Sequence, residues 1–471
     1  MVANKNQIVH VIVVPYPSQG HINPLLQFAK RLASKGVKST IATTQYTVKS
    51  ICAPNVGVEA ISDGFDEGGY AQARNVGLFL ESFKVNGSKT LSQLIQKFEN
   101  SSCPVTCIVY DSFLPWALDV AKEHGIYCGA FCTNSASICS IFSRIHQGLL
   151  QLPLKVEDGL TLVPGLPPFQ HQDLPSFIRL PDSYPDYLAM KLSQFDNLHK
   201  ADLIFINTFE ALEAEAVKDV SKLWPAKLIG PMVPSAYLDG RIKDDKGYGA
   251  SLWKPLSEEC TKWLKTKPSN SVVFVSFGSM VSLTTEQMEE MAWGLKESGM
   301  NFLWVVREKE WINLPNDLMD TIKEQGLILT WCNQLEVLAH QATGCFVTHC
   351  GWNSTLEGLS LGVPMVGVPQ WADQMTNAKF IEEIWEVGVR AKEDSNGVVR
   401  KQEIVHCLKE VMQGKRCEFF RQNARKWKES CKQAIDEGGC SDKNIDEFVH
   451  HLMHANANAN GFINITSVKS S

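Results

Sequence analysis

Residues 331–374 read WCNQLEVLAHQATGCFVTHCGWNSTLEGLSLGVPMVGVPQWADQ, and this stretch decides the fold. In order it gives an indole, an amphipathic helix, a short apolar strand ending at His349, a second helix, another strand and a polar loop. Each polar side chain falls where an element begins or ends. In an open α/β sheet those are the ligand-binding places, because helix N-termini there present unpaired N–H groups and partial positive charge.

Working outward, the same strand-loop-helix grammar occurs twice. Near the start, IVHVIVVPYPSQGHINPLLQFAKRLASKG (8–36) gives a buried strand, a Pro/Ser/Gly loop and a helix closed by Gly36, followed by the strand VKSTIATT. Downstream, SVVFVSFGSMVSLTTEQMEEMAWGLKESG (271–299) repeats it, with Gly299 closing the helix before NFLWVVR. Thr284 and Gln287 stand at capping-box spacing, which predicts a helix start there. Apolar runs such as TCIVYD, YCGAFCT and ADLIFINT in the first half, and LILTW, CFVTHC and VPMVGVP in the second, alternate with helical stretches. That alternation predicts mostly parallel sheets covered on both faces.

A chain of 471 residues exceeds what one core holds, so two domains are expected. Between the repeats, IGPMVPSAYLDGRIKDDKGYGASLW is rich in Pro, Gly and charge and lacks periodicity. The expected division is an amino-terminal domain over 1–240, a linker over 241–254 and a carboxy-terminal domain over 255–440. The low-complexity stretch HANANANGFINITSVKSS predicts a flexible tail over 456–471. Apolar residues at 44% and charged residues at 20% are ordinary for a globular protein. A net charge of −6 with dispersed Lys and Arg argues against a nucleic-acid or anionic-membrane surface.

Fourteen cysteines in a chain this large, without a secretory signal, read as free thiols. The apolar run at 8–14 is short, contains His10 and lacks a small-residue cleavage site, so it reads as a first strand. No apolar run reaches the roughly 18 to 20 residues of a membrane span. The expectation is a soluble, cytoplasmic monomer with no integral membrane segment.

Within the deciding stretch, the helix opening at Asn353, Ser354 and Thr355 can hold a diphosphate through backbone N–H groups, the Ser354 hydroxyl and the His349 imidazole. Glu357 lies one turn beyond Ser354 on the same face, where its carboxylate can accept from ribose hydroxyls. Trp331, at a strand's end, offers a flat plate for a uracil ring, and Asp373 with Gln374 can bind sugar hydroxyls. Taken singly, Asn and Ser would merely cap a helix, the histidine and tryptophan would be core, and the loop would simply be polar. Together they describe a nucleotide-sugar clamp. In the first half, His21 follows the first strand just ahead of Asn23-Pro24, which look like a helix opening, and Asp111 ends the strand CIVY. Both should approach one carboxyl edge, which suits a histidine base oriented by a carboxylate.

Several other readings fail on context. Residues 358–362 match the G-x-S-x-G string around Ser360, but the order is helix then strand, opposite to a nucleophile elbow. No G-x-G-x-x-G follows either first strand and no P-loop string occurs, so dehydrogenase and nucleotide-triphosphatase readings are weak. The cysteine spacings 103–107 and 128–132 lack the second pair a zinc site needs, so no metal is implied.

The stretch 331–374 resembles the signature box of plant family 1 UDP-dependent glycosyltransferases, and PSQGHINP, FCTNSAS and VSFGSM fall at family positions. The similarity runs from residue 8 to about 454. It implies an α/β GT-B fold of two Rossmann-like parallel-sheet domains facing a central cleft, with the donor bound mainly by the second domain and the acceptor by the first. By position, Trp331 would stack uracil, Gln334 would serve the nucleoside, with Cys332 beside it in the donor site, and Glu357 would take the ribose. His349, Asn353, Ser354 and Ser279 would hold the diphosphate. Asp373, Gln374, Trp352 and Thr133 would contact the sugar, and a terminal Gln favours glucose. His21 would be the base and Asp111 its partner. Asn333 departs from the proline most often found in the box. ISDGFDEGGY further resembles the subgroup L branch, which includes glucose-ester formers and enzymes acting on terpenoid or steroid alcohols. The last helix, about 440–455, would cross back onto the first domain.

The expected reaction is therefore an inverting, metal-independent transfer of glucose from UDP-glucose to a small lipophilic acceptor with a steroid, terpenoid or phenolic hydroxyl, needing no cofactor beyond the donor. The alternatives are glucose-ester formation on an aromatic or hormone carboxylate and, in another class, a nucleotide-sugar-binding protein without turnover. Phe65, Phe79, Phe83, Trp116, Phe142, Leu180 and Met190 are the candidates for an apolar acceptor wall.

Overall fold

A computed structural model describes residues 9–154, 159–251, 253, 255–314, 322 and 325–466, with side chains through residue 454. Seven strands, β1 (His10–Val14), β2 (Lys38–Thr44), β3 (Val56–Ile61), β4 (Cys107–Asp111), β5 (Tyr127–Cys132), β6 (Leu203–Ile206) and β7 (Ala226–Leu228), form a sheet in the order 3-2-1-4-5-6-7. Six more, β8 (Val272–Ser276), β9 (Asn301–Val305), β10 (Gly326–Leu329), β11 (Thr343–Thr348), β12 (Met365–Gly367) and β13 (Gly388–Arg390), form a second in the order 10-9-8-11-12-13. Every pairing in both is parallel. The central strands HVIVV and VVFVS are buried along their whole length, as strands covered on both faces require. In each sheet the strand order reverses beside the first strand, at β1/β4 and β8/β11. The carboxyl ends flanking that switch point form the crevice in which such sheets bind ligands.

Six helices bear on the site: α1 (Gln19–Ser34), α2 (Pro185–Ser193), α3 (Thr285–Glu297), α4 (Gln334–Ala339), α5 (Trp352–Leu361) and α6 (Cys440–Thr466). Helix α1 begins four residues before the expected Asn23 opening, so His21 stands in its first turn and Pro24 lies inside it. Pro24 carries no N–H, so the carbonyl of Gly20 four residues back loses its helical donor. At α3 the Thr284 hydroxyl accepts from the Gln287 N–H at 3.1 Å, but the Gln287 side chain does not return to Thr284. It brackets the backbone of Val399 with two 2.9 Å bonds instead. Half of the predicted capping box is thus replaced by a tertiary contact. Residues 358–361 of the elbow-like string lie within α5, where Ser360 is fully buried.

Helix α6 packs on the first sheet. Phe448 meets Phe205 edge-on at 4.9 Å, Ser441 donates to the Gly230 carbonyl, and Lys35 pairs with Asp442 and Asp446. The helix is continuous to Thr466; residues 467–471 of the expected tail lie outside the described residues. The segment over 241–251 is tied down rather than free. Asp245 is buried and accepts from Gln27 (2.7 Å), Lys30 (2.8 Å) and the Ser235 N–H (2.7 Å), and Lys30 also donates to the Gly247 carbonyl. Asp245, which looks like solvated linker polarity in sequence, is a partner of α1, and Arg241 pairs with Asp442 of α6. None of the fourteen cysteines forms a disulfide. Among the described residues no helix is long and apolar enough to cross a membrane.

Candidate active site in the cleft

A cavity of about 550 Å³ lies between the two sheets, lined by residues from both. On the first wall, β4 ends at Asp111 and α1 opens after β1, which brings His21 and Asp111 together. His21 Nδ1 lies 2.7 Å from Asp111 Oδ2. Asp111 is fully buried and its other oxygen accepts from the Phe113 N–H at 3.0 Å, which fixes the carboxylate. A carboxylate only accepts, so Nδ1 carries the proton and Nε2 is left as the basic nitrogen. Thr133 Oγ1 sits 3.2 Å from the same Nδ1, and the rings of Tyr16 and Phe113 flank the imidazole at 5.3 and 4.7 Å.

On the second wall the site residues come from strand ends and from the first turns of α4 and α5. Gln334 donates to Ser354 (3.0 Å) and to Glu357 (2.6 Å), while the Tyr248 hydroxyl donates to the other Glu357 oxygen at 2.8 Å. Burial pushes the Glu357 carboxyl up to about 7, against the opposing pull of the Gln334 and Tyr248 hydrogen bonds. Burial also holds His349 down to about 4, so it is a neutral imidazole at pH 7. Glycine is required on both sides of that ring. A Cβ on Gly351 would lie 2.5 Å from Nε2, and one on Gly278, at φ +70°, would lie 2.8 Å from Cε1. Trp331 lies 4.6 Å from Trp253, tilted by 36°. The site thus offers a flat indole, a buried carboxylate, a helix opening and a neutral imidazole on one side, and an imidazole–carboxylate dyad on the other.

This pairing of walls matches a known family. Residues 77–428 correspond to the family described as UDP-glucoronosyl and UDP-glucosyl transferase, and residues 7–59 to the glycosyltransferase N-terminal domain. The chain belongs to that UDP-glycosyltransferase family. Among relatives, UDP-glycosyltransferase 74B1 of Arabidopsis thaliana is 50% identical over 448 residues, covering 94% of this chain and 97% of the relative. Mogroside I-E synthase of Siraitia grosvenorii is 46% identical, covering 94% and 98%. The crystal structure of Os79 from O. sativa in complex with UDP superposes with a TM-score of 0.89 at 38% identity, covering 94% of this chain and all of that one. The two facing sheets are the GT-B fold.

In this glycosyltransferase the cavity is lined by Ser279, Trp331, Cys332, Gln334, His349, Trp352, Asn353, Ser354, Glu357, Asp373, Gln374, Thr133 and His21. Several of these side chains already have partners. Trp352 Nε1 donates to the Asn207 carbonyl of the first domain at 2.8 Å, and Asn353 Nδ2 donates across the cleft to the Gly20 carbonyl at 2.6 Å. The Gln374 side-chain oxygen accepts from the Gln370 and Trp371 N–H groups, Asp373 accepts from Asn377, and the Ser279 carbonyl accepts from Arg307. The Cys332 thiol faces Cys260.

Of the acceptor-wall candidates, Met190 lines the cavity. Phe79, Phe83, Trp116 and Phe142 are buried in the core of the first domain, Phe65 stacks on Phe79, and Leu180 is exposed; none of these six lines it. The aromatic residues that line it are Tyr16, Phe113, Phe177, Tyr187, Trp331, Trp352 and Trp371, with Tyr248. Sequence held a signal for Phe113, two residues past Asp111 at a strand end, and for Trp371 in the terminal loop of the deciding stretch. Tyr248, Asn134 and Lys191 also line the cavity and were not anticipated. Among the described residues no group of three or more His, Cys, Asp or Glu side chains is disposed to hold a metal ion.

Proposed function

We propose that the protein is an inverting UDP-glucose-dependent O-glucosyltransferase of small lipophilic acceptors. The observation that carries this reading is the His21–Asp111 dyad, 2.7 Å apart, facing the α5 opening and Glu357 across one cavity. The acceptor O–H gives its proton to His21 Nε2 as the oxygen bonds to the anomeric carbon. The bond from that carbon to the diphosphate oxygen breaks, and its electron pair leaves with UDP. Asp111 stabilises the imidazolium. Attack comes from the first wall while the leaving group departs toward the second, so the anomeric configuration inverts. General-base catalysis contributes about 10² to 10⁴-fold, with positioning and stabilisation of the leaving diphosphate adding more.

In this reading the domain over 1–240 holds the acceptor and that over 255–440 the donor. Trp331 stacks the uracil and Glu357 takes the ribose hydroxyls, with Gln334 and Cys332 beside the nucleoside. Ser354, Asn353, His349 and Ser279 hold the diphosphate, while Asp373, Gln374, Trp352 and Thr133 contact glucose. The relatives named flavonol 7-O-beta-glucosyltransferase and mogroside I-E synthase support a phenolic or terpenoid hydroxyl as acceptor. ISDGFDEGGY supports membership of the subgroup L branch, and the free thiols support a cytoplasmic location.

The test is incubation with UDP-glucose and a panel of steroid alcohols, flavonoids and aromatic acids, followed by detection of UDP and of glucosides by mass. Acceptor-dependent UDP release is expected. Heat of UDP-glucose binding without UDP release from any acceptor would leave a binding protein; neither heat nor release would remove the donor site.

A further inference from the structure

On the acceptor side of the cavity, helix α2 delivers Lys191 to a place no catalytic role absorbs. Lys191 is 6% exposed, and its ammonium makes one hydrogen bond, to Asn134 Oδ1 at 3.0 Å, while lying 4.5 Å from the centre of the Phe113 ring. A lysine can only donate, so this bond fixes the Asn134 amide with Nδ2 turned away from it. That Nδ2 is buried and has no partner, and Asn134 as a whole is 7% exposed. Both residues line the cavity, and the buried Nδ2 beside the ammonium has its hydrogen-bonding capacity unmet. Burial lowers the lysine below its ordinary pKa, with Asp373 and Asp111 acting in the opposite direction. Neither of those carboxylates is hydrogen-bonded to it. A buried ammonium without an anion is costly, and a ligand oxyanion is the partner the arrangement lacks.

The surroundings define what else that ligand carries. The ring touched by the ammonium is the one that flanks His21, so the cation and the base both adjoin Phe113. Phe177, Tyr187 and Met190 add an apolar wall. Resting on the glucosyltransferase reading above, we propose that Lys191 and Asn134 form an anion-recognition subsite that selects small aromatic acceptors bearing a carboxylate. The carboxylate oxygens accept from Lys191 Nζ and Asn134 Nδ2, which orients the acceptor relative to His21.

The experiment compares a hydroxybenzoic acid with its methyl ester, using UDP release from UDP-glucose in the full-length protein. For Lys191→Met the acid-to-ester ratio of kcat/KM should fall about ten- to a hundredfold, the range of a lost hydrogen bond to a charged group, through the acceptor KM. The KM for UDP-glucose should stay in place, which also reports an intact fold. Asn134→Ala should lower the same ratio less. An unchanged ratio, or a change in the donor KM in place of the acceptor KM, overturns the subsite. Calorimetric binding of the acid to wild type and Lys191→Met gives the same discrimination without turnover. Absence of UDP release from either acceptor in the wild type would instead strike the catalytic reading.

Discussion

On the cleft wall built from the second sheet, polar side chains are bonded to one another, Gln334 to Ser354 and Glu357, and Tyr248 to Glu357. On the wall built from the first, the His21–Asp111–Thr133 group and the Lys191–Asn134 pair stand among Tyr16, Phe113, Phe177, Tyr187 and Met190. On the proposed function, the contrast follows from what each wall meets. A nucleotide sugar presents many hydroxyls and phosphate oxygens in fixed geometry, and each requires a directed partner. A lipophilic acceptor presents mostly apolar surface and few polar atoms, so an apolar wall with a small number of placed polar groups suits it.

The sharpest way to separate the walls is His21→Ala. Turnover of an alcohol acceptor should fall by about 10² to 10⁴-fold, while UDP affinity measured by calorimetry holds. An acceptor that attacks through its carboxylate, with no hydroxyl to deprotonate, is already ionised and should retain part of its transfer; equal loss on both acceptor types would count against the base assignment. Asp245→Ala tests whether the segment between the lobes is structural. It strands the buried Lys30 ammonium, so stability in a denaturant titration should drop by about 3 to 5 kcal/mol. A change within about 0.5 kcal/mol would return that segment to a solvated linker.

Smaller effects probe the second wall. Burial raises the Glu357 carboxyl to about 7, and on the proposed function ribose hydroxyls donate to its ionised form. UDP-glucose affinity should therefore weaken as pH falls below about 7, with protons released on binding near that pH. Glu357→Gln should raise the donor KM about tenfold or more and flatten the pH profile. A pH dependence surviving that substitution would assign it elsewhere. Tyr248→Phe frees one carboxylate oxygen for the ribose and should lower the donor KM by no more than about tenfold; a rise would make Tyr248 a direct donor contact.

Legibility in the sequence follows the same division. The second wall was readable because its groups stand at consecutive element ends within 331–374, where strand and helix periods are unambiguous. The parallel sheets were readable for a related reason: β1 (HVIVV) and β8 (VVFVS) are short, mostly apolar runs rich in valine and isoleucine. The acceptor wall was not readable from residue type. Phe79 and Phe83 are as aromatic as Phe113, and only the direction in which their helix faces decides that they pack inward. Phe177, Tyr187 and Lys191 sit on short helices whose sequence carries no periodic signal. Tyr248 and Asp245 lie in a segment whose composition mimics a loop, and their burial arises from contacts with distant elements that no local pattern records.

Pro24 has a consequence across the cleft. Because it has no hydrogen to offer, the first turn of α1 keeps an open acceptor at Gly20, and the amide of Asn353 from the opposite lobe takes it at 2.6 Å. The same amide stands at the helix opening proposed to seat the diphosphate. On the proposed function the diphosphate and the Gly20 carbonyl call on the same side chain, so a missing N–H in one helix ties the donor site to the opposite lobe through Asn353.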